Sequence, residues 1–141
     1  MPLGSGPYRW KGDSVTQPRM LPLAAGAMQV GNVVHSHTSV RGDLAPDLHP
    51  LVRRLLHELS IAQQERFMGW CAETVLISDR LYEAEEPAGT ISAMAARSLL
   101  WGAKVRVVRV REDGDPRHGE VQPPCRSCTS LLDYFGIEVL L

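Results

Sequence analysis

The sequence predicts an α/β domain in which a small mixed β-sheet carries helices packed on its faces. Three observations lead to this class. Stretches 27–40 and 103–112 alternate like strands, whereas 49–59, 71–86, 91–101 and 125–135 have a helical period or composition. Their order is strand hairpin, helix, helix, strand, helix, strand, which suits helices laid on a sheet. The 141 residues, 44% hydrophobic and 22% charged, suit one domain with one core.

Residues 1 to 27 are rich in Pro and Gly and show no period. They read as an N-terminal arm with little structure of its own, and the Ser-Gly and Gly-Pro steps at Ser5, Gly6 and Pro7 read as linker material. The domain proper then spans residues 28–141. Gly31-Asn32 is a two-residue hairpin turn between β-prone flanks. Residues 41–47 form a loop broken by Gly42 and Pro46. In 49–59, Val52, Leu55, Leu56 and Leu59 fall on one helical face and Pro50 suits the first turn. Ser60 with Gln63 is a capping-box pattern that predicts a second short helix, interrupted by Gly69. The first two turns of 71–86 are apolar nearly all round, which predicts burial; Pro87 and Gly89 end the helix. A helix over 91–101 stops at Gly102. In 103–112, Lys104 and Arg106 share one face but Arg109 and Arg111 share the other, so a bulge is expected near Val107-Val108. The helix over 125–135 starts after Pro124 and stops at Gly136, and "IEVLL" is a final strand.

Composition narrows the function classes. No apolar run approaches the roughly 20 residues of a membrane span, and the N-terminus lacks the apolar stretch of a secretory signal peptide. The expected location is the cytoplasm, or the cytoplasm of a target cell if the domain is a delivered effector. A net charge of −1 gives no global basic footprint for nucleic acid, although a local patch remains open. Three cysteines are an odd number, which argues against a closed disulfide framework. Three thiolates around one metal fit the count better.

Two of the three lie in "PPCRSC" (123–128). Cys125 and Cys128, spaced C-x-x-C at a helix start, present two sulfurs on one face near the positive helix end. Zinc takes thiolate or imidazole ligands in a tetrahedron. With three cysteines in the chain, either a histidine completes the set or one position stays open, as in catalytic zinc sites. Cys71 also begins a helix, and Glu73 follows two residues later. That spacing suits a sulfur on the metal and a carboxylate beside the open position, where it can move protons. The plainer readings are a redox dithiol or structural zinc knuckle for Cys125 and Cys128, and a helix-dipole carboxylate for Glu73.

The elements "CAE" (71–73) and "PCRSC" (124–128) resemble the two motifs of the cytidine-deaminase-like superfamily in its Cys-led form. "HSHTSVRGD", "LHPLV", "GWCAETVLISD" and "HGEVQPPCRSCTSLLDYFGIEVL" are together similar to the YwqJ-related group of bacterial deaminases, over about residues 33 to 141. The resemblance implies a three-layer-type deaminase fold and one zinc per chain on Cys71, Cys125 and Cys128. It also implies a water in the fourth position and Glu73 as the catalytic acid and base. It further implies a toxin domain neutralised by a cognate immunity protein. The expected activity is hydrolytic deamination of cytosine in nucleic acid, single-stranded DNA first. The alternatives are deamination of a free nucleoside, nucleotide or base, and a non-catalytic zinc-stabilised binding module.

His35 and His37 alternate on a strand and share a face, so they are candidates to bind substrate. Trp70, beside Cys71, is a candidate to stack on a base, with core packing as the plainer use. His49, His57 and His118 read as surface or loop residues. The strand basics Lys104, Arg106, Arg109 and Arg111 read as edge solvation rather than a phosphate track.

Overall fold

The computed structural model describes residues 24–39, 46–64, 71–85 and 90–141. In chain order these form β1 (Ala24–Val30), β2 (Val33–Thr38), α1 (Pro50–His57), a 3₁₀ turn (Ile61–Gln63), α2 (Ala72–Glu85), α3 (Ala93–Leu100), β3 (Lys104–Arg109), α4 (Arg126–Phe135) and β4 (Glu138–Val139). The sheet order is β2-β1-β3-β4. β1 runs antiparallel to both neighbours, and β3 pairs in parallel with β4 across the α4 crossover, so the sheet is mixed as expected.

Several element readings hold. Gly31-Asn32 is the turn between β1 and β2. Pro50 opens α1. Ala72 to Ser78 of α2 are all buried, as expected from first turns that are apolar nearly all round. Gly136 ends α4 at φ 68°, and a Cβ there would lie 2.3 Å from the Trp101 ring. That position therefore accepts glycine for both backbone and space.

Others are corrected. β1 begins at Ala24, inside the stretch read as an arm through residue 27. Its buried positions are Ala24, Gly26 and Met28, and small side chains hide the period that pairing on both edges makes plain. Residues 1–23 lie outside the described residues. No bulge interrupts β3, whose register with β1 runs unbroken from Ala24↔Arg109 to Gln29↔Lys104. Arg109 falls on the same face as Val105 and Val107 because its charge is met there. It pairs with Glu120 at 3.4 Å and donates to Gln122 Oε1 at 3.2 Å. Of the short helix expected from Ser60, the described part is one 3₁₀ turn, with Gln63 Oε1 accepting the Ser60 N–H at 3.1 Å. The breaks expected at Gly42, Gly69, Pro87 and Gly89 lie outside the described residues.

His49 is also corrected: it is 1% exposed, not a surface residue. Its Nδ1 accepts the Leu51 N–H at 3.0 Å and so caps α1. That leaves Nε2 to carry the proton and donate to Glu85 at the end of α2. Glu85 Oε2 also accepts the Ile91 N–H at 3.1 Å, so one part-buried pair ties α1, α2 and the entry to α3. These hydrogen bonds, from His49 first, hold the Glu85 carboxyl below the usual carboxylate range.

The core lies between the helices and the sheet face bearing Gly26, Met28, Val105 and Val107. α2 crosses this face over Gly26. A Cβ on Gly26 would stand 3.1 Å from Val107, 3.2 Å from Leu76 and 3.3 Å from the Ala72 Cβ. The missing side chain lets the first turn of α2 sit down on β1.

Two outcomes follow. Gly26→Ala should cost about 1–3 kcal/mol in urea unfolding, because Ala72 moves only with the helix start. A carboxylate lowered on folding contributes stability that is present above its unfolded value and is lost as pH falls through the folded value. Unfolding measured downward through about pH 4 should therefore fall more steeply for the wild type than for Glu85→Gln.

Candidate metal centre

Two helix starts meet at one point. The Cys71 carbonyl accepts the first helical hydrogen bond of α2, from Val75 N–H at 3.2 Å. The Cys125 carbonyl does the same for α4, from Thr129 N–H at 2.8 Å. Each cysteine thus sits at the positive end of its helix, where a thiolate is stabilised. Cys125 Sγ also caps α4 by accepting the Cys128 N–H at 3.5 Å.

Cys71 and Cys125 sulfurs are 3.8 Å apart, and all three sulfurs lie within 4.8 Å of one another. All three cysteines are free. A disulfide needs about 2.05 Å, but sulfurs bound at about 2.3 Å to one tetrahedral ion stand about 3.8 Å apart. The three cysteines can therefore hold a metal ion. Among the described residues no histidine joins the group. Cys128 is buried while Cys71 and Cys125 are part-exposed, so the cluster opens to solvent on one side.

Electrostatics supports a cation here. Cys125 lies well below the ordinary thiol range, chiefly because the Cys128 and then the Cys71 side chain hydrogen-bond to it. The same bonds act in reverse on the other two. Cys71 is pushed up, first by its Cys125 bond, and Cys128 is pushed well up, first by Cys125 and then by Cys71. The cluster thus favours the thiolate at Cys125 and disfavours it at Cys71 and Cys128. Holding three thiolates requires a compensating positive ion.

Glu73 lies in the first turn of α2 and is 5% exposed. Desolvation raises its carboxyl above the usual range, and its own backbone N–H partly offsets this. Its charge acts on Cys71 and Cys128, and it feels that of Cys125. The structure thus brings Cys71, Glu73, Cys125 and Cys128 together.

The remaining candidates lie elsewhere. His35 pairs with Glu83 at 3.3 Å and His37 with Asp79 at 3.5 Å, along the outer part of α2. Asp79 is eight residues beyond Cys71, about 12 Å along the helix. Trp70 lies outside the described residues. Arg109 is paired with Glu120 and Gln122 on β3, which lies between β1 and β4, so the edge-solvation reading is corrected there.

Sequence reading missed two contacts at the cluster. Thr74 Oγ1 is 3.5 Å from Cys128 Sγ, and Ser127 Oγ donates to the Gln63 carbonyl at 3.1 Å. The second pins the 3₁₀ turn against the start of α4. Each joins residues more than 50 positions apart, so no local pattern announces it.

Cobalt(II) titration should give one equivalent bound per chain with intense sulfur-to-metal absorption, and Cys71→Ser should lose most of that affinity. Since metal-binding free energy is also folding free energy, metal should raise the unfolding midpoint of the wild type and not of Cys71→Ser.

The profile of the YwqJ-like deaminase family matches residues 8–137. No curated protein and no solved structure matches the chain. The matched span holds both helix-start motifs and nearly the whole described fold. The chain belongs to the YwqJ-like deaminase family.

Proposed function

We propose that this domain is a zinc-dependent hydrolytic deaminase of cytosine in nucleic acid, with single-stranded DNA as the favoured substrate. We further propose that it serves as a bacterial toxin domain held in check by an immunity protein. The observation that carries the chemistry is the buried carboxylate of Glu73 in the first turn of α2, near three sulfurs that lie within 4.8 Å of one another. Cys71, Cys125 and Cys128 are the ligands. Three protein ligands leave one coordination position open, whereas a purely structural site closes all four.

Zinc, when bound, supplies Lewis-acid activation of a water nucleophile. Glu73 accepts the two protons of the attacking water in turn, delivering the first to the ring nitrogen and the second to the departing amine. The oxygen of water joins the carbon that bore the exocyclic amine, the C–N bond breaks, and ammonia leaves. Burial of Glu73 keeps bulk water from competing for that proton. A base in a duplex must first leave the stack, which favours single strands.

A second reading has one observation in its favour. The net charge of −1 lacks the basic footprint of a polymer-binding protein, which supports a free nucleoside, nucleotide or base as substrate. A non-catalytic zinc-stabilised module is the third reading, and Glu73 speaks against it, because a structural site has no use for a carboxylate beside an open position.

One assay separates these. The metal-loaded protein is incubated with single- and double-stranded DNA, RNA and free nucleosides, and the products are sequenced or chromatographed. Cytosine-to-uracil conversion in single-stranded DNA supports the first reading; conversion of free cytidine alone supports the second. Glu73→Gln should retain metal and fold but lose at least about 10²–10⁴-fold in rate. Full activity of that variant on every substrate overturns the mechanism.

A further inference from the structure

Resting on the metal centre just proposed, we infer that Thr74 is a positioning residue for it, its hydroxyl holding the Cys128 sulfur from behind. Thr74 is fully buried in α2, and its Oγ1 lies 3.5 Å from Cys128 Sγ on α4. A threonine hydroxyl inside a helix ordinarily returns to a carbonyl one turn back. Here it bridges to the neighbouring helix, at the cysteine that is itself 1% exposed.

The direction of this hydrogen bond follows from what each atom carries. A sulfur that ligates a metal has no proton to give. The hydroxyl is then the donor, and a hydroxyl donating to a charged acceptor makes a stronger bond than a neutral pair. Cys125 Sγ accepts the Cys128 N–H, and Cys71 is part-exposed and so open to solvent. Cys128 is already within α4, so an outside donor is needed for its sulfur. Thr74 supplies that donor and follows Glu73 directly, so α2 delivers a ligand, a proton carrier and a ligand-orienting hydroxyl from four consecutive residues, 71–74.

The test uses two matched pairs that differ by the hydroxyl: Thr74 against Thr74→Val, which keeps the branched shape, and Thr74→Ser against Thr74→Ala. Cobalt(II) affinity is measured on the full chain by competition with a chromophoric chelator, and the sulfur-to-cobalt absorption is recorded. Loss of an outer-shell partner typically lowers metal affinity about 10–100-fold. Val and Ala should show that loss with a shifted charge-transfer band, while Ser should stay close to the wild type in both readouts. If Val fails to fold, the Ser and Ala pair decides alone. Val matching the wild type in affinity and spectrum overturns the inference. So does Ser as weak as Ala, which would make packing the cause. A wild type that takes up no cobalt overturns the metal centre and this inference with it. A wild type that binds cobalt beside an indifferent Val variant overturns the inference alone.

Discussion

Everything at the site depends on bringing three sulfurs and a carboxylate into one small volume. Such a cluster repels itself unless something positive offsets it. The fold contributes two partial answers. Two helices start at the same place, so their positive ends face Cys71 and Cys125. The sulfurs also hydrogen-bond to one another, which concentrates charge on Cys125 at the expense of the other two. Neither answer is enough for three thiolates, and the divalent cation of the proposed metal centre would complete the balance.

That requirement explains the packing around the helix starts. α2 rests on β1 only because Gly26 presents no side chain, and its first residue, Ala72, touches that spot. α4 is held from the other side by the 3₁₀ turn through Ser127 and Gln63. The far end of α2 is tied to α1 and the entry to α3 by His49 and Glu85, so the helix is fixed at both ends. His35 with Glu83 and His37 with Asp79 add contacts between β2 and the same helix. The surrounding structure thus works to keep one helix start from moving.

Burial gives Glu73 its chemical character. An exposed carboxylate in a first helical turn is a common, modest stabiliser of the helix. At 5% exposure the same group resists ionisation, which is the character the proposed proton transfer requires. Its place two residues after Cys71 sets it near the cluster, and among the described residues the group that could hold a metal is the three cysteines without it.

The sequence by itself determined the local chemistry. Cys-x-Glu and Pro-Cys-x-x-Cys at helix starts are short-range patterns, because one helical turn decides which atoms share a face. The helices were legible for the same reason, since their apolar period or composition lies within each segment. The start of β1 was not, because Ala24 and Gly26 are buried by partners rather than by their own hydrophobicity. Arg109 looked like a phase slip, yet it ends a regular strand because Glu120 and Gln122 meet it there. His49 looked like a surface residue until the fold supplied Glu85, 36 positions away, to accept its proton. Only the tertiary structure decided that Cys71 and Cys125 stand 3.8 Å apart and that Thr74 backs Cys128, since those distances depend on how two helices pack on one sheet.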